Sequence, residues 1–461
     1  MKKIGYSFSI IFILGLIFIG PWPIDDEPFE KTQYAQQTFN KINQLSFSKK
    51  ISSINAGYAK RDITPRIGSP IGGYSARTPK DNTGSYENVF VKAITIENAE
   101  TSVTIVNSEI LLPLPELVAA VTQKSGLKRD ELFFTSTHTH SGPGGYASGF
   151  IAQQSLGDYS SAYFSFLVNQ FSDAISESRR QLTPAKLDYS NAKLSPELMN
   201  KLAFNQLEPQ KPAHNTFQLL RILRNNDNKN IASIITFSAH PTFFGRQSKK
   251  ISGDYPSSLM KKLESELGGG VLFIPGGVGG TLPKINGTKS STTPHISNQQ
   301  RYHYSEQLLE LTKSILINDA RIGEITNLRS STVAINSFLI PVLLPQANFR
   351  ITDSLRLSPL LVNAIFHDSQ SYIHVLQLGK LIFFSYPADY SGDLAADLEQ
   401  YALKQGLFAW VISFNGDYIG YLTPSTLYSL DHHITRSSNI YGPFGGDYFT
   451  EASKNIVDKL R

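Results

Sequence analysis

The sequence predicts an α/β protein with a mixed, largely buried β-sheet core flanked by helices. Short apolar runs typical of strands, such as VFVKAITIE and IASIITFSAH, alternate along the chain with patterns typical of amphipathic helices, such as PELVAAVTQKSG. The composition, with 41% hydrophobic and 18% charged residues, is that of a folded globular protein. A chain of 461 residues is also long enough to bury a large core.

The individual elements follow from periodicity and from the turn residues that bound each run. In chain order, strands are predicted at VFVKAITIE, TSVTIVNSE, ELFFTSTHTH, FQLLRILR, IASIITFSAH, GGVLFIPGG, YIHVLQLGKLIFFSYPA and LFAWVISFN. Helices are predicted between them at PELVAAVTQKSG, SAYFSFLVNQFSDAISESRRQ, PSSLMKKLESELG, NQQRYHYSEQLLELTKSIL and SGDLAADLEQYALKQG. We expect much of the sheet to be buried because strands and helices alternate.

Charge and cysteine content exclude several classes of function. The net charge of +5 is mild, and no Lys/Arg-rich block with interleaved aromatic residues occurs, so we expect no nucleic-acid partner. The chain contains no cysteine, which excludes disulfides, zinc–thiolate sites and cysteine nucleophiles. Any metal must therefore be held by His, carboxylate or Tyr side chains.

The N-terminus carries a targeting pattern. Lys2 and Lys3 precede the apolar stretch IGYSFSIIFILGLIFIG, which ends at PWPIDDEP. This predicts a signal or membrane anchor over residues 1–20, and an uncleaved anchor is favoured over a cleaved signal peptide because no small-x-small pattern precedes Pro21. Residues 21–53 are polar and predict a membrane-proximal linker with room for one helix, and residues 54–461 predict the folded domain. We expect that domain to lie outside the cytoplasm, on the periplasmic or extracellular face.

Polar residues capable of binding a metal follow four of the apolar strands. They are His138 and His140 after ELFFTST, His240 after IASIITFSA, Asp389 after KLIFFSYPA and Tyr421 after AWVISFNGDYIG. Ligands of open α/β sheets bind outside the carboxyl ends of the strands, so these side chains are candidates for one site. The turn VLFIPGGVGG adds Gly276 and Gly277, whose N–H groups could approach an anion.

The three histidines and Asp389 also have ordinary structural explanations. His138 and His140 are two residues apart, so in extended backbone both imidazoles face one cavity, where one could bind a metal and the other move a proton. They could equally be hydrogen-bonded histidines at a strand end. His240 could be a structural strand-end histidine, and Asp389 could cap the helix that starts near Ser391.

The motifs resemble, in order, those of the neutral/alkaline (non-lysosomal) ceramidases. They are RDITPRIGSPIGGY, THTHSGPGGY, FSAHPT, SGDYPSSLMKKLE, YPADYSGDL and GYLTPSTLY, and the resemblance runs from about Ala56 to Gly445. It implies a zinc enzyme that hydrolyses the amide bond between a fatty acyl chain and a sphingoid base. It further implies zinc ligands at His138, His240, Asp389 and Tyr421, with His140 as a catalytic histidine.

The chain departs from the family pattern at several positions. Asp389 stands where the family has Glu, and Lys201 stands where an Arg would contact the substrate. The family's serine motif corresponds to GDYPSSLMKK, where a gapless match from Asp254 places Met260 at the serine. Ser257 or Ser258 could substitute, although helix N-capping is the favoured role of both. His433 stands where the family has a second Tyr near the zinc, and the sequence leaves no room for the family's C-terminal immunoglobulin-like domain.

The resemblance implies the following chemistry. Zinc would polarise the amide carbonyl or activate water, His140 would transfer a proton to the amine, and Lys201 with Gly276 and Gly277 would stabilise the oxyanion. Direct attack by water is slightly favoured over an acyl-enzyme, in which Ser257 would be the nucleophile. Asp254 and His433 are further candidate catalytic residues. Two alternatives stay open: a zinc amidase or esterase acting on a non-sphingolipid envelope substrate, and a non-catalytic envelope-binding protein.

Overall fold

The computed structural model describes residues 13–77, 80–284, 298–366 and 369–461. Its strands are β1 (Trp22–Pro23), β2 (Ser52–Asp62), β3 (Phe90–Glu97), β4 (Ser102–Ser108), β5 (Leu132–Ser136), β6 (Thr183–Leu194), β7 (Ala203–Asn205), β8 (Thr216–Arg224), β9 (Asn230–Phe237), β10 (Gly270–Pro275), β11 (Thr281–Pro283), β12 (Gly323–Ser330), β13 (Thr332–Val333), β14 (Ile335–Leu343), β15 (Leu355–Arg356), β16 (Gln370–Leu378), β17 (Leu381–Tyr386), β18 (Asp389–Tyr390), β19 (Phe408–Ser413) and β20 (Tyr421–Leu422).

The helices lie mostly between these strands, as the alternating pattern predicts. They are α1 (Gln33–Asn43), α2 (Pro115–Ser125), α3 (Phe150–Leu156), α4 (Ser161–Arg180), α5 (Pro196–Leu202), α6 (Asp254–Leu267), α7 (Asn298–Leu316), α8 (Pro359–Phe366), α9 (Gly392–Lys404), α10 (His433–Arg436) and α11 (Gly445–Leu460). The five helices predicted from the sequence correspond to α2, α4, α6, α7 and α9.

Two sheets form the core, and both are mixed. The larger has ten strands in the order β10-β9-β8-β6-β2-β3-β4-β5, with β12 paired to β6 and β13 to β2. Its two ends are parallel pairs, β10 with β9 and β4 with β5. The smaller has four strands in the order β14-β16-β17-β19, of which β17 and β19 are parallel. Parallel pairing directs the carboxyl ends of neighbouring strands to the same edge.

The two sheets pack face to face, with helices on their outer faces. Ile234 and Leu272 of the large sheet lie in one buried cluster with Phe383 and Trp410 of the small sheet. Helices α2 and α4 cover one part of the large sheet's outer face, and α6 and α7 cover another. Helices α1, α9 and α11 pack on the small sheet. The predicted mixed, buried sheet flanked by helices is confirmed, and its division into two stacked sheets is an addition.

Two elements differ from the sequence prediction in an informative way. The run YIHVLQLGKLIFFSYPA forms two antiparallel strands, β16 and β17, which turn at Gly379, whose φ is +65°. The predicted linker over residues 21–53 contains α1, and the side chains of Ala35 and Ile42 on that helix are fully buried. This part of the chain is therefore packed on the fold, because α1 has one apolar face that the small sheet covers.

The predicted membrane anchor falls largely outside the described residues. Within residues 13–77, 80–284, 298–366 and 369–461, no helix is both long enough and apolar enough to cross a bilayer. Residues 13–18 are helical. The side chains of Ile13, Phe18 and Ile19 there are 53%, 55% and 59% exposed.

Candidate metal centre

His138 lies just past the end of β5, in a backbone conformation that few residues adopt. Its φ is +59°, in the left-handed region that is uncommon for residues other than glycine. The imidazole stacks on Phe414 at 3.9 Å between ring centroids, and Nδ1 donates to the carbonyl oxygen of Leu111 at 2.9 Å. Because a carbonyl only accepts, Nδ1 carries the hydrogen, and Nε2 of the neutral ring offers a lone pair.

His140 brings its Nε2 to the same point, two residues further on. That nitrogen lies 3.2 Å from Nε2 of His138 and 3.1 Å from Nε2 of His240. The ring lies 4.9 Å from the ring of Tyr74, and its backbone carbonyl accepts from Nη2 of Arg77 at 2.6 Å. The buried Arg77 guanidinium thus fixes the backbone that carries His140.

His240 and Asp389 approach from strands of the two different sheets. His240 follows β9, and its backbone N–H donates to the carbonyl oxygen of Thr281 at 3.1 Å. Asp389 follows β17, and its Oδ1 lies 3.5 Å from Nε2 of His138 and 3.7 Å from Nε2 of His240. The site therefore lies where the carboxyl ends of strands from the two sheets meet.

Two tyrosines hold the Asp389 carboxyl group. Tyr418 donates its hydroxyl to Oδ2 at 2.7 Å, and Tyr421 also hydrogen-bonds this carboxyl. Tyr421 is placed by the parallel pairing of β18 with β20, in which Asp389 and Tyr421 are direct partners. Burial raises the pKa of Asp389 to about 7, and the hydrogen bonds from the two tyrosines oppose that shift.

Burial also dominates the ionisation of the three histidines. It lowers the pKa of His240 to about 4 and lowers the pKa values of His138 and His140 well below the usual range. The neighbouring imidazoles shift the pKa values of His138 and His140 in the same direction. All three rings are therefore neutral at pH 7, which is the form that binds a metal.

The residues present fit a zinc ion. Two atoms bound to tetrahedral zinc at about 2.0–2.1 Å lie roughly 3.3 Å apart. The four distances above, among three Nε2 atoms and one carboxylate oxygen, run from 3.1 to 3.7 Å. Nitrogen and carboxylate donors are also the ligands that zinc accepts in a protein without cysteine.

Comparison with known proteins supports the resemblance to one family. Residues 54–273 match the family model described as neutral/alkaline non-lysosomal ceramidase, N-terminal. The predicted resemblance to this family is confirmed. The matched segment contains His138, His140 and His240, whereas Asp389 and Tyr421 lie beyond it.

Individual ceramidases are similar to this chain at low identity. The neutral ceramidase of Mycobacterium tuberculosis is 24% identical over 209 residues, which cover 41% of this chain and 31% of that relative. The chain thus spans about a third of the length of the curated relative it matches. The crystal structure of neutral ceramidase from Pseudomonas aeruginosa superimposes with a TM-score of 0.70 at 16% identity, covering 89% of this chain and 74% of that one. A ceramidase complexed with C2 gives the same TM-score and identity. These structures establish the ceramidase fold.

Several predicted site residues are not brought to the histidines. The Lys201 side chain is 70% exposed on α5, and its ammonium group lies 4.0 Å from Glu197. The N–H of Gly276 donates to the carbonyl oxygen of Phe237, which argues against a role in an oxyanion site. No such bond engages the N–H of Gly277 among the described residues, but a Cβ there would meet Ala395 and Gly392 at 2.9–3.0 Å, so close packing already requires this glycine.

The structure also corrects the prediction for the serine segment. Gly253 is the N-cap of α6, so the predicted capping by Ser257 or Ser258 is wrong, because the helix already begins at Asp254. Ser257 instead lies with the buried Glu109 beside Gly253, and Met260 packs against Lys92 and the Phe273 backbone. The Met260 position therefore belongs to the core.

Asp254 and His433 lie beside the centre. The carboxyl group of Asp254 accepts from the backbone N–H groups of Tyr255 and Phe244, and burial raises its pKa to about 6. His433 is an exposed residue at the start of helix α10 and is close enough for its charge to lower the pKa of His240. Neither is seen in direct contact with the three Nε2 atoms among the described residues.

Sequence reasoning missed three residues that contact the site. Tyr74 packs on His140, Tyr418 donates to Asp389, and Phe414 stacks on His138. Tyr74 and Tyr418 lie in the quoted stretches RDITPRIGSPIGGY and AWVISFNGDYIG, but one tyrosine among 21 gives no signal by itself. Phe414 has φ +70°, a strained conformation that the sequence does not indicate.

A second group of side chains joins the supports of His240 and Asp389. His214 bonds Ser238 Oγ through Nδ1 at 2.8 Å and Glu399 Oε2 through Nε2 at 3.0 Å. Ser238 precedes His240 by two residues, and Glu399 lies on α9, which follows Asp389. This buried chain links the segments that carry two of the candidate ligands.

Proposed function

We propose that this protein is a zinc-dependent amidohydrolase that cleaves a ceramide-like N-acyl lipid into a fatty acid and an amine. The observation that carries the proposal is the convergence of three histidine Nε2 atoms and Asp389 Oδ1 at the carboxyl ends of strands from both sheets. Four of the atom pairs among them are 3.1–3.7 Å apart. The match of residues 54–273 to the neutral/alkaline ceramidase family model supports this reaction class.

The residues would divide the work as follows. His138, His240 and Asp389 would hold the zinc ion, with Tyr421 as a further oxygen donor. Bound zinc supplies Lewis acidity, which polarises a carbonyl and lowers the pKa of water. The hydrogen bond from His138 Nδ1 to Leu111 keeps Nε2 free of a proton, and Tyr418 keeps the Asp389 carboxyl oriented.

His140 is the proposed proton-transfer group, and its geometry also suits a ligand. Its Nε2 is as close to the other two histidines as tetrahedral ligands are to one another, while its Nδ1 is buried without a hydrogen-bond partner among the described residues. A His140→Gln variant separates the two roles. If His140 transfers protons, zinc affinity stays within about threefold while turnover falls about 10²–10⁴-fold; if it is a ligand, zinc affinity falls as well.

Water is the nucleophile we favour. Ser257 lies on the first turn of a helix beside Glu109, which is fully buried and carries a pKa raised to about 7 by burial. Replacing Ser257 and Ser258 by Ala together should leave at least about a tenth of the turnover, because attack by water needs neither hydroxyl. A covalent acyl-enzyme trapped in the unmodified protein would instead assign the nucleophile to a serine.

The decisive experiment combines substrate and metal. The full chain loaded with zinc is assayed on a fluorescent N-acyl sphingosine, with fatty acid and amine both quantified. We expect stoichiometric release of the two products, loss of release on chelation, and recovery on zinc addition. Zinc binding without hydrolysis of any amide or ester would leave the non-catalytic envelope-binding function.

One observation favours a second substrate class. The predicted substrate-contacting Lys201 is exposed and paired with Glu197 rather than turned to the histidines. The same zinc centre acting on a non-sphingolipid amide or ester would not need a cation there. A panel of N-acyl lipids, short amides and esters distinguishes the two by kcat/KM.

We further propose that the protein is exported and held at a membrane by its N-terminal segment. The support is the Lys2–Lys3 start followed by the apolar stretch of residues 4–20, together with the exposed apolar side chains of residues 13–19. Membrane fractionation of the full chain and of a variant lacking residues 1–20 tests this. We expect only the full chain to sediment with membranes.

A further inference from the structure

A cavity of about 460 Å³ lies at the opposite end of the inter-sheet core from the histidines. Leu381, the first residue of β17, lines it, whereas Asp389 follows the other end of the same strand. Five residue steps at about 3.3 Å separate the ends of β17 by roughly 17 Å. The volume is within the range of about 300–1,000 Å³ typical of small-molecule sites. We call this cavity the basal cavity.

The floor of the basal cavity is apolar and comes from both sheets. Leu187, Tyr189 and Leu220 of the large sheet and Leu378 and Leu381 of the small sheet line it. All five belong to the buried cluster between the sheets. An apolar recess that opens to solvent marks a place where an apolar group can be buried.

The rim of the basal cavity carries positive charge. Lys49, Arg329, Lys380, Lys459 and Arg461 line it, and none of the described lining residues is Asp or Glu. Arg329 pairs with Asp188, and the Lys459 ammonium donates to the Asn43 carbonyl oxygen. Lys49 and Lys380 are exposed and have no ion-pair partner among the described residues. Their charges are therefore available to an incoming anion.

We propose that the basal cavity binds one fatty-acid anion, with its alkyl chain on the apolar floor and its carboxylate at Lys49 and Lys380. The apolar floor selects an alkyl chain, and the cationic rim selects an anionic head over a neutral or cationic one. The proposal is independent of the hydrolysis proposed above, because this site lies at the other end of β17 and shares no residue with the candidate metal centre.

Isothermal titration calorimetry on the delipidated full chain tests the proposal. The probes are dodecanoate below its micelle concentration, dodecyltrimethylammonium with the same chain and opposite charge, and acetate with the same head and no chain. We expect saturable binding of dodecanoate at one site per protein, and at least about tenfold weaker binding of the other two. Equal binding of the cationic amphiphile, or absence of dodecanoate binding at 1 mM, overturns the proposal.

Two sets of variants locate the binding. Lys49→Gln with Lys380→Gln should weaken dodecanoate binding about fivefold to tenfold, because exposed ion pairs contribute modestly to affinity. The matched control is Lys261→Gln with Lys404→Gln, which makes the same charge change at exposed helix positions. Thr332→Trp, at an exposed lining position, should block binding without changing any charge.

Folding and zinc content are checked on each variant. We expect thermal unfolding and zinc stoichiometry to match those of the unmodified chain, since neither lysine nor Thr332 touches the metal centre. If the rim variants and the control bind dodecanoate equally well, the anion binds elsewhere and the assignment is wrong.

Discussion

The two ends of strand β17 differ in whether the polar and charged groups around them are buried or exposed. At its carboxyl end, Asp389 lies against the neutral rings of His138 and His240, and these three side chains are buried, while the adjoining His140 is partly buried. At its amino end, Leu381 opens on an apolar recess whose charges stand at the exposed rim. One strand thus carries buried polar groups at one end and exposed charges over an apolar floor at the other.

The difference lies in what each end needs to be stable. Buried polar groups that lie 3.1–3.7 Å apart are unfavourable unless a cation or a shared hydrogen lies between them. Exposed lysines over an apolar floor are stable in water and gain only modestly from a ligand. We therefore expect substitutions at the Asp389 end to have large effects and those at surface positions to have small ones.

The largest expected effect is at Asp389 itself. Among the described residues, Asp389 is the one carboxylate within 4 Å of His138 and His240, so Asp389→Ala should lower zinc affinity and amide hydrolysis by at least about 100-fold each. Zinc titration and an N-acyl lipid assay measure this. Asp353→Ala is the matched control, since that carboxylate is 86% exposed, and it should have no effect. Equal activity in the two variants would contradict the assignment of Asp389.

The next effect tests the chain from Glu399 through His214 to Ser238. Glu399→Gln weakens the hydrogen bond that orients His214 and should lower kcat about tenfold with KM unchanged, because it displaces ligand-bearing segments rather than a substrate contact. Cobalt-substituted protein should show a shifted visible spectrum. Glu310→Gln, an exposed glutamate paired with Lys313, should leave both kinetics and spectrum unchanged. An unshifted cobalt spectrum in Glu399→Gln would mean that the chain does not position the ligands.

Local sequence patterns predicted the edge of the sheet but not the pairing of the strands. Apolar runs with β-branched residues located eight strand regions, and the polar residue after each of four runs gave the candidate ligands. Strand β2 was missed because SSINAGYAKRD contains Lys, Arg and Asp, although it pairs with β3 and β6 in the middle of the large sheet. Its register depends on partners that are distant along the chain, and no local pattern encodes them.

The site residues also fall into two groups, those that local sequence patterns predict and those that depend on the folded structure. His138, His240, Asp389 and Tyr421 follow strand ends, so alignment with one edge was predictable. Tyr418 and Phe414 act through side-chain geometry in the loop after β19, which becomes fixed only in the folded chain. Lys201 was placed by motif resemblance alone, and α5 turns its side chain to solvent.

The pH dependence of folding stability tests whether the Glu109 carboxyl is buried. Burial raises its pKa to about 7, so the folded protein holds a proton that the unfolded chain has already lost above its ordinary value of 4.5. Stability should therefore fall as the pH rises from about 4.5 to 7, by at most about 1.4 kcal/mol per pH unit from this group. Glu109→Gln should remove this contribution in denaturant titrations across that range. The exposed Glu324→Gln control should retain it, and identical slopes in the two variants would refute the assignment.

The smallest effect is expected at Lys201. Its side chain is 70% exposed and its only recorded ion pair is a 4.0 Å contact with Glu197, so Lys201→Ala should change stability by less than about 0.5 kcal/mol and kcat/KM by less than about twofold. A loss of more than about tenfold in kcat/KM on a ceramide-like substrate would show that Lys201 reaches the substrate and would restore its predicted role.

The most direct test of the central claim is zinc binding to the full metal-free chain by competition with a chromophoric chelator. We predict one tightly bound zinc per chain, with binding abolished in His240→Ala and unchanged in His303→Ala, whose histidine is exposed on α7. Absence of zinc binding by the unmodified chain, or equal binding by the two variants, would contradict the assignment of the converging histidines as a metal centre.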